Sequence, residues 1–326
     1  MPKVSVVVTT SNAKNALLAT TESILDQGYS DLELFISDDG SVDESGLEFL
    51  LRFGPDSARA GQVWQDSLRE DAGTRSIQLI RGGVPVHYLH QVSPRGPSAA
   101  RNRALNLASG ELLAFAEAGD VWRPWKLTTQ VELLEGHSEY GACLESPSPK
   151  KAKRTGPRKL PALSPVSFEE ILLSPNLGTN GALVCRTCMG FEAPFDENLP
   201  ICGDYDFWLR LASHHEVARV AEPMQISSPR PERTEWGLER FRVYALEKAY
   251  QGGNLNSTLR HRVAEELVHQ CNLLVEGYRQ RNNQERANFY DRKKKRFAQE
   301  VTKLDLSDPA FSGARIARRS LTGAPA

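Results

Sequence analysis

Two short apolar runs with a helical pattern between them constrain this chain more than any other feature. Val4 to Thr10 is almost continuously apolar and β-branched, as expected of a strand buried on both faces. Ser11-Asn12 interrupts it. Leu17, Leu18, Thr21, Ile24 and Leu25 then recur at helical spacing, ending at Gln27-Gly28, and Leu32 to Ser37 reads as a second buried strand closed by Asp38-Asp39-Gly40-Ser41. Strand, helix and strand at this spacing make a βαβ unit, and such units build parallel sheets.

The pattern continues with gaps. Leu47, Leu50 and Leu51 suggest a helix, but between residues 44 and 83 charges and glycines leave no clear period. Val86 to Gln91 resumes strand character. A helix begins at Ser98 after the Pro94-Arg95-Gly96-Pro97 loop and is capped by Gly110, and Leu112 to Ala116 is another strand. Ala182 to Arg186 and Val217 to Val220 read as strands flanking a helix at Tyr205 to Ser213. The expectation is an α/β domain over residues 1–228, doubly wound and Rossmann-like around a mostly parallel sheet. A Pro/Lys/Arg-rich loop at about 146–164 interrupts it. A helical extension over 234–326 follows, with helices at Trp236 to Tyr250, Arg262 to Tyr278 and Gln284 to Leu304.

Charge and cysteine usage narrow the function classes. A net charge of -1 over 326 residues gives no global attraction to nucleic acid, so no nucleic-acid partner is expected. Five scattered cysteines, an odd number, fit reduced thiols and a cytoplasmic location. Cys185-x-x-Cys188 lacks the second ligand pair that a structural zinc site needs. No window approaches the roughly 18 to 20 apolar residues of a membrane helix. The basic run Arg292-Lys293-Lys294-Lys295-Arg296 leaves room for peripheral contact with acidic lipids at the inner face of a membrane.

In an open parallel sheet, ligands bind beyond the carboxyl ends of the strands. Thr9, Thr10 and Ser11 follow the first strand, Asp38-Asp39 the second, and Glu117 and Asp120 a later one. Three sets of polar groups therefore meet at one edge, where a carboxylate can accept from a base or ribose or bind a divalent cation. Asp38-Asp39-Gly40 also has the composition of a plain turn.

Together these segments resemble the family 2 glycosyltransferases of GT-A fold, the opening forty residues being most similar to the bacterial spore-coat polysaccharide type. The matching blocks are Val4 to Thr10 with Asn12, Ser23 to Gln27, Asp31 to Ser41, Gly96-Pro97-Ser98-Ala99-Ala100-Arg101-Asn102, Gly110-Glu111 with its strand to Asp120, and Gly203 to Arg210. The resemblance covers roughly residues 1–135 and 176–225. It implies that Thr9 and Asp39 hold the nucleotide base, with Asp38 also counted among the nucleotide-binding residues, that Arg101 and Asn102 lie beside the nucleotide with Arg101 on the diphosphate, and that Glu117 meets the ribose. Asp204 is implied as the general base, with Asp206 as the alternative. Arg230 falls where the family places an arginine over the donor.

At the family's Asp-x-Asp motif this chain has Glu117-Ala118-Gly119-Asp120. Gly119 offers no side-chain oxygen, which leaves Asp120 to reach a Mg²⁺ or Mn²⁺ ion directly or through water. The implied partners are a nucleoside-diphosphate sugar, UDP- or dTDP-linked, and a glycan or lipid-linked acceptor. Two readings stay open: an active inverting transferase, or a degenerate domain that binds a nucleotide or partner without turnover. A dinucleotide dehydrogenase is excluded, because no G-x-G-x-x-G lies between first strand and helix.

Overall fold

The computed structural model describes residues 1–69, 73–146, 160–174, 177–190, 193–227, 236–252 and 254–307. The expected loop at 146–164 lies largely outside them, as does Arg230. In chain order the elements are β1 (Val4–Thr10), α1 (Lys14–Leu25), β2 (Leu32–Asp39), α2 (Ser45–Phe53), α3 (Ala60–Asp66), β3 (Leu68–Arg69), β4 (Thr74–Arg81), β5 (Val84–Gln91), α4 (Pro97–Leu105), β6 (Leu112–Glu117), β7 (Val121–Trp122) and α5 (Lys126–Gly136). Then come β8 (Tyr140–Glu145), β9 (Leu163–Val166), α6 (Phe168–Leu173), β10 (Leu183–Cys185), α7 (Gly203–Ala212), β11 (Glu216–Val220), β12 (Gln225–Ile226), α8 (Glu239–Gln251), α9 (Ser257–Gln280) and α10 (Gln284–Ser307).

Among the described residues, ten strands form one sheet in the order β3-β4-β5-β2-β1-β6-β10-β8-β11-β9. Its centre, β5-β2-β1-β6, is parallel. The βαβ pattern dictates this, since a helical crossover returns the chain in the same direction. All seven residues of β1 are buried, which explains its unbroken apolar run. Val4, Val6 and Val8 join Leu17, Ile24, Leu34 and Ile36 in one core cluster. Each such side chain contributes about 1.5–3 kcal/mol on burial.

The stretch 44–83, unreadable as periodic sequence, holds α2, α3 and an antiparallel hairpin. β4 pairs with β5 so that Arg81 faces Val84, which leaves Gly82-Gly83 as a two-residue turn with φ of +58° and +85°. Two positive φ values suit glycine, and this turn geometry matches the twist of the strands it joins. In β4 only Ile77 and Leu79 are buried, so its apolar alternation spans too few residues to stand out.

The chain divides into two compact units. One comprises Met1–Ser167, Gly178–Phe207 and His214–Glu232 and contains the sheet; the other comprises Phe168–Leu177, Trp208–Ser213 and Arg233–Ala326. In the second unit, α9 and α10 pack through Tyr278 stacked on Tyr290, with centroids 5.7 Å apart, while Tyr250 of α8 meets Phe297 edge-on. The basic run of α10 is largely matched within this unit. Lys293 bonds Glu247 at 2.5 Å, and Lys294 and Lys295 lie 3.5 and 2.7 Å from Asp291. These pairings lend no support to the expected contact with acidic lipids. No described helix is long and apolar enough to cross a membrane.

Candidate active site

The register of the central strands gathers the polar residues. Thr9 lies opposite Ser37 on one side and Glu117 on the other, Thr10 opposite Asp38, and Asp39 opposite Gln91. The carboxyl ends of β5, β2, β1 and β6 therefore form one rim. β1 sits between strands reached by separate crossovers, the kind of topological position where ligands bind such sheets.

Two neighbouring aspartates divide the work at the end of β2. Asp38 is fully buried. Its Oδ1 accepts from the Ser41 amide at 2.9 Å, and its Oδ2 meets the Tyr88 hydroxyl at 2.6 Å and His90 Nδ1 at 3.0 Å. Burial pushes this carboxyl upward, but the bonds from His90, Ser41 and Tyr88 outweigh it and hold the group below the ordinary aspartate value. Asp38 thus braces the turn from inside and presents no surface to a nucleotide. Asp39 accepts from the Arg95 and Gly96 amides, each at 2.8 Å. It ties the rim to the loop that opens α4.

That helix carries Arg101 and Asn102. The Ser37 hydroxyl donates to the Ala100 carbonyl at 2.6 Å, locking α4 against β2. Asn102 is committed to its own chain: its Nδ2 donates to the Phe195 carbonyl at 2.7 Å, and its Oδ1 accepts from the Phe195 amide at 3.0 Å. It clamps the segment leading to α7. Arg101 is also buried, with its guanidinium 5.1 Å from the Phe195 ring centroid and its Nη1 3.1 Å from Asp204 Oδ1.

Asp204 stands in the first turn of α7, where unsatisfied amides and the helix dipole favour a carboxylate. Its side chain is 27% exposed, whereas Asp206 is 1% exposed. Just ahead of it, Cys202 has φ +64°, a left-handed conformation uncommon for a residue with a side chain. Backbone strain of this kind clusters at working sites.

The turn after β6 is closed by its own acid. Asp120 Oδ2 accepts from the Glu117 amide at 3.0 Å, and the Asp120 amide donates to the Glu117 carbonyl at 2.9 Å. Asp120 is 2% exposed. Between them Gly119 has φ +106°, and its amide donates to Thr20 Oγ1 at 2.8 Å. Glu117 Oε2 accepts from Asn180 Nδ2 at 3.0 Å, and Thr179 Oγ1 donates to Asp204 Oδ1 at 3.2 Å.

Thr179 and Asn180 carry no signal in the sequence, because the rule for parallel sheets points to the carboxyl ends of strands and these two residues precede one. β10 runs antiparallel to β6, with Leu183 opposite Ala114, so the amino end of β10 reaches the same rim. Strand direction was not readable from the run Ala182 to Arg186. Thr9, Glu117, Asp204, Arg101 and Asp39 are thus linked through register, hydrogen bonds or the loop opening α4. A cavity of about 340 Å³ on α4, lined by Gln91, Arg95, Ala99, Arg103, Asn106, Leu107 and Glu197, includes none of these five.

The family model described as glycosyl transferase family 2 matches residues 5–52 and 73–199, more than half of the chain. This chain belongs to glycosyl transferase family 2. It is similar to the Escherichia coli UDP-Glc:α-D-GlcNAc-diphosphoundecaprenol β-1,3-glucosyltransferase WfaP, with 24% identity over 220 residues covering 67% of this chain and 74% of that protein. The Campylobacter jejuni GalNAc(5)-diNAcBac-PP-undecaprenol β-1,3-glucosyltransferase is 27% identical over 176 residues, covering 53% of this chain and 48% of its own length. Among solved structures, Staphylococcus aureus TarS 1–349 in complex with UDP-GlcNAc matches with a TM-score of 0.57 at 14% identity, over 91% of this chain and 92% of that one. The fold is GT-A and the protein is a glycosyltransferase.

As a family 2 enzyme the chain raises the question of a divalent ion. Among the described residues, no three His, Cys, Asp or Glu side chains cluster to hold one. Gly119 contributes no oxygen, and Asp120 is buried with its Oδ2 on a backbone amide. Among the described residues, Gly119 and Asp120 therefore do not make a metal centre at this turn.

Proposed function

We propose that this glycosyltransferase moves a sugar from a nucleoside diphosphate, UDP- or dTDP-linked, to a lipid-linked or cell-surface glycan acceptor. Transfer proceeds with inversion, and Asp204 is the general base. The observation that carries the reading is the pairing of a part-exposed Asp204 with Arg101 in the first turn of α7, beside the strand ends that bear Thr9 and Glu117. The acceptor class draws support from the names of the E. coli and C. jejuni relatives, both of which specify undecaprenol-linked acceptors.

In this reading Asp204 takes the proton of an acceptor hydroxyl as its oxygen attacks the anomeric carbon. The bond from that carbon to the diphosphate breaks on the opposite face, and the electron pair leaves with the nucleoside diphosphate. Charge building on the leaving group needs a preorganised cation, and Arg101 is the buried guanidinium at hand. Thr9 and Asp39 flank the base, and Glu117 meets the ribose. Asp38, Asn102 and Asp120 hold these groups in place through the chain's own hydrogen bonds.

The test is a screen of UDP-, dTDP- and GDP-linked sugars for release of nucleoside diphosphate in the presence of undecaprenyl-diphosphate-linked sugars. Acceptor-dependent release from a UDP or dTDP donor is the expected outcome. Release from a GDP-sugar alone, or product with retained anomeric configuration, overturns the reading.

A further inference from the structure

We propose that the turn Thr179–Ala182 is a positioning element for the transfer, in which Thr179 holds the base Asp204 and Asn180 holds Glu117. The inference rests on the reading of Asp204 as the base and of Glu117 at the ribose. It begins with two side chains that follow one another in sequence and bond carboxylates from different parts of the chain. Thr179 Oγ1 donates to Asp204 Oδ1 at 3.2 Å, and Asn180 Nδ2 donates to Glu117 Oε2 at 3.0 Å. Each carboxylate can rotate about its own side-chain bonds, and a donor on a fixed turn removes that freedom.

The turn is fixed from beneath. The Ala182 amide closes it onto the Thr179 carbonyl at 3.0 Å, and the Gly181 amide donates to the Phe115 carbonyl at 2.9 Å. The Gly181 carbonyl accepts from Lys126 Nζ at 2.7 Å and from Gln130 Nε2 at 2.8 Å. Lys126 is fully buried, 3.4 Å from Glu145 and 4.9 Å from the centre of the Trp122 ring. Burial is costly for an ammonium, so this lysine is held by what it bonds, and one of those bonds anchors the turn. Thr179 itself is fully buried, so its hydroxyl has little freedom to choose another partner.

Asn180 adds a second indication. Its Oδ1 is buried with no hydrogen-bond partner among the described residues. Buried acceptors in native proteins are nearly always satisfied, so a hydroxyl of bound substrate or an ordered water fills this place. The two residues then act on different quantities. Thr179 acts on the chemical step through the base, and Asn180 acts on donor affinity through Glu117.

Steady-state kinetics of Thr179→Val, Thr179→Ser and Asn180→Ala, read beside Asp204→Asn, test this. Thr179→Val should lower kcat about tenfold or more while donor KM stays within about threefold, the size expected for losing one hydrogen bond to a charged group. Thr179→Ser, which keeps the hydroxyl, should recover most of that loss. Asn180→Ala should raise donor KM several-fold with a smaller change in kcat. Thermal melting of each variant separates these effects from unfolding, and Asn180→Ala carries the test if Thr179→Val does not fold. If Asp204→Asn abolishes transfer while Thr179→Val and Asn180→Ala turn over like the parent, the positioning role is wrong. If Asp204→Asn itself turns over normally, the reading of the base fails instead.

Discussion

Arg101 Nη1 lies 3.1 Å from Asp204 Oδ1, so a helix opened by the Gly96-Pro97 loop and a helix more than ninety residues later meet through opposite charges. The guanidinium is buried beside Phe195, and its Nε has no hydrogen-bond partner among the described residues. A cation in that state has donors to spare for a second anion. Under the proposed reading, Arg101 is therefore suited to pass between Asp204 and the donor diphosphate, or to touch both. Arg101→Met should weaken UDP binding by about tenfold or more, the scale of a lost charge-assisted hydrogen bond. Arg101→Lys should recover only part, because an ammonium lacks the planar fork. Isothermal titration calorimetry with UDP reads both, and unchanged affinity in Arg101→Met would confine the arginine to holding Asp204.

Asp204 and Asp206 share the first turn of α7 but not its surface. The expected outcome for Asp204→Asn is a kcat lower by about two to four orders of magnitude with UDP affinity kept. Asp206 is 1% exposed, so Asp206→Asn should lower the melting temperature first and activity only in proportion. The comparison needs kinetics and melting curves on both variants. A selective loss of kcat in Asp206→Asn with a stable fold would exchange their roles.

The parallel centre of the sheet was legible because β1 and β2 are buried along their whole length, which writes apolar runs into the sequence. The rim followed from strand direction alone, and it located Thr9, Asp39 and Glu117. Burial was not legible. Nothing in Asp38-Asp39 tells which carboxylate turns onto Tyr88 and His90 and which onto the Arg95 and Gly96 amides, since those partners come from β5 and the loop after it. The same holds for Asn102, whose partner Phe195 lies 93 residues away. Thr179 and Asn180 escaped because β10 enters the sheet in the opposite sense, a fact of tertiary pairing and not of local pattern.

Gly119 looks in sequence like a lost ligand, and in the structure it is a backbone requirement. At φ +106° a residue with a side chain is strained, and closure of the Glu117–Asp120 turn depends on that conformation. Gly119→Asp, which restores the family's acidic position, should therefore destabilise the protein by about 1–3 kcal/mol and leave divalent-ion binding no stronger. Urea unfolding gives the first number and Mn²⁺ titration the second. A variant that folds as stably as the parent and binds Mn²⁺ more tightly would mean that the turn can be remade around the ion.

At the opposite ends of the same strands, Glu33 predicts how the fold responds to acid. Its carboxylate receives the Ser5 hydroxyl and the Ser109 amide, each at 2.6 Å, and the Lys3 ammonium at 2.7 Å. Burial alone would push this group up, but those partners bring it from 4.5 down to about 2. A carboxyl whose folded value is depressed stabilises the protein above its unfolded value, and that contribution is lost as pH falls through the folded one. The window here runs from about 4.5 to about 2, and the stake is about 3 kcal/mol. Glu33→Gln should therefore be less stable than the parent at pH 7 by a similar amount, with donor KM unchanged, because the clamp lies far from the rim. The stability gap should narrow steadily as pH drops below about 4.5, since protonation then makes the parent resemble the variant. Urea unfolding of both proteins between pH 7 and pH 3 measures that gap, and a gap that stays constant across the range would place the clamp's strength in packing and not in charge.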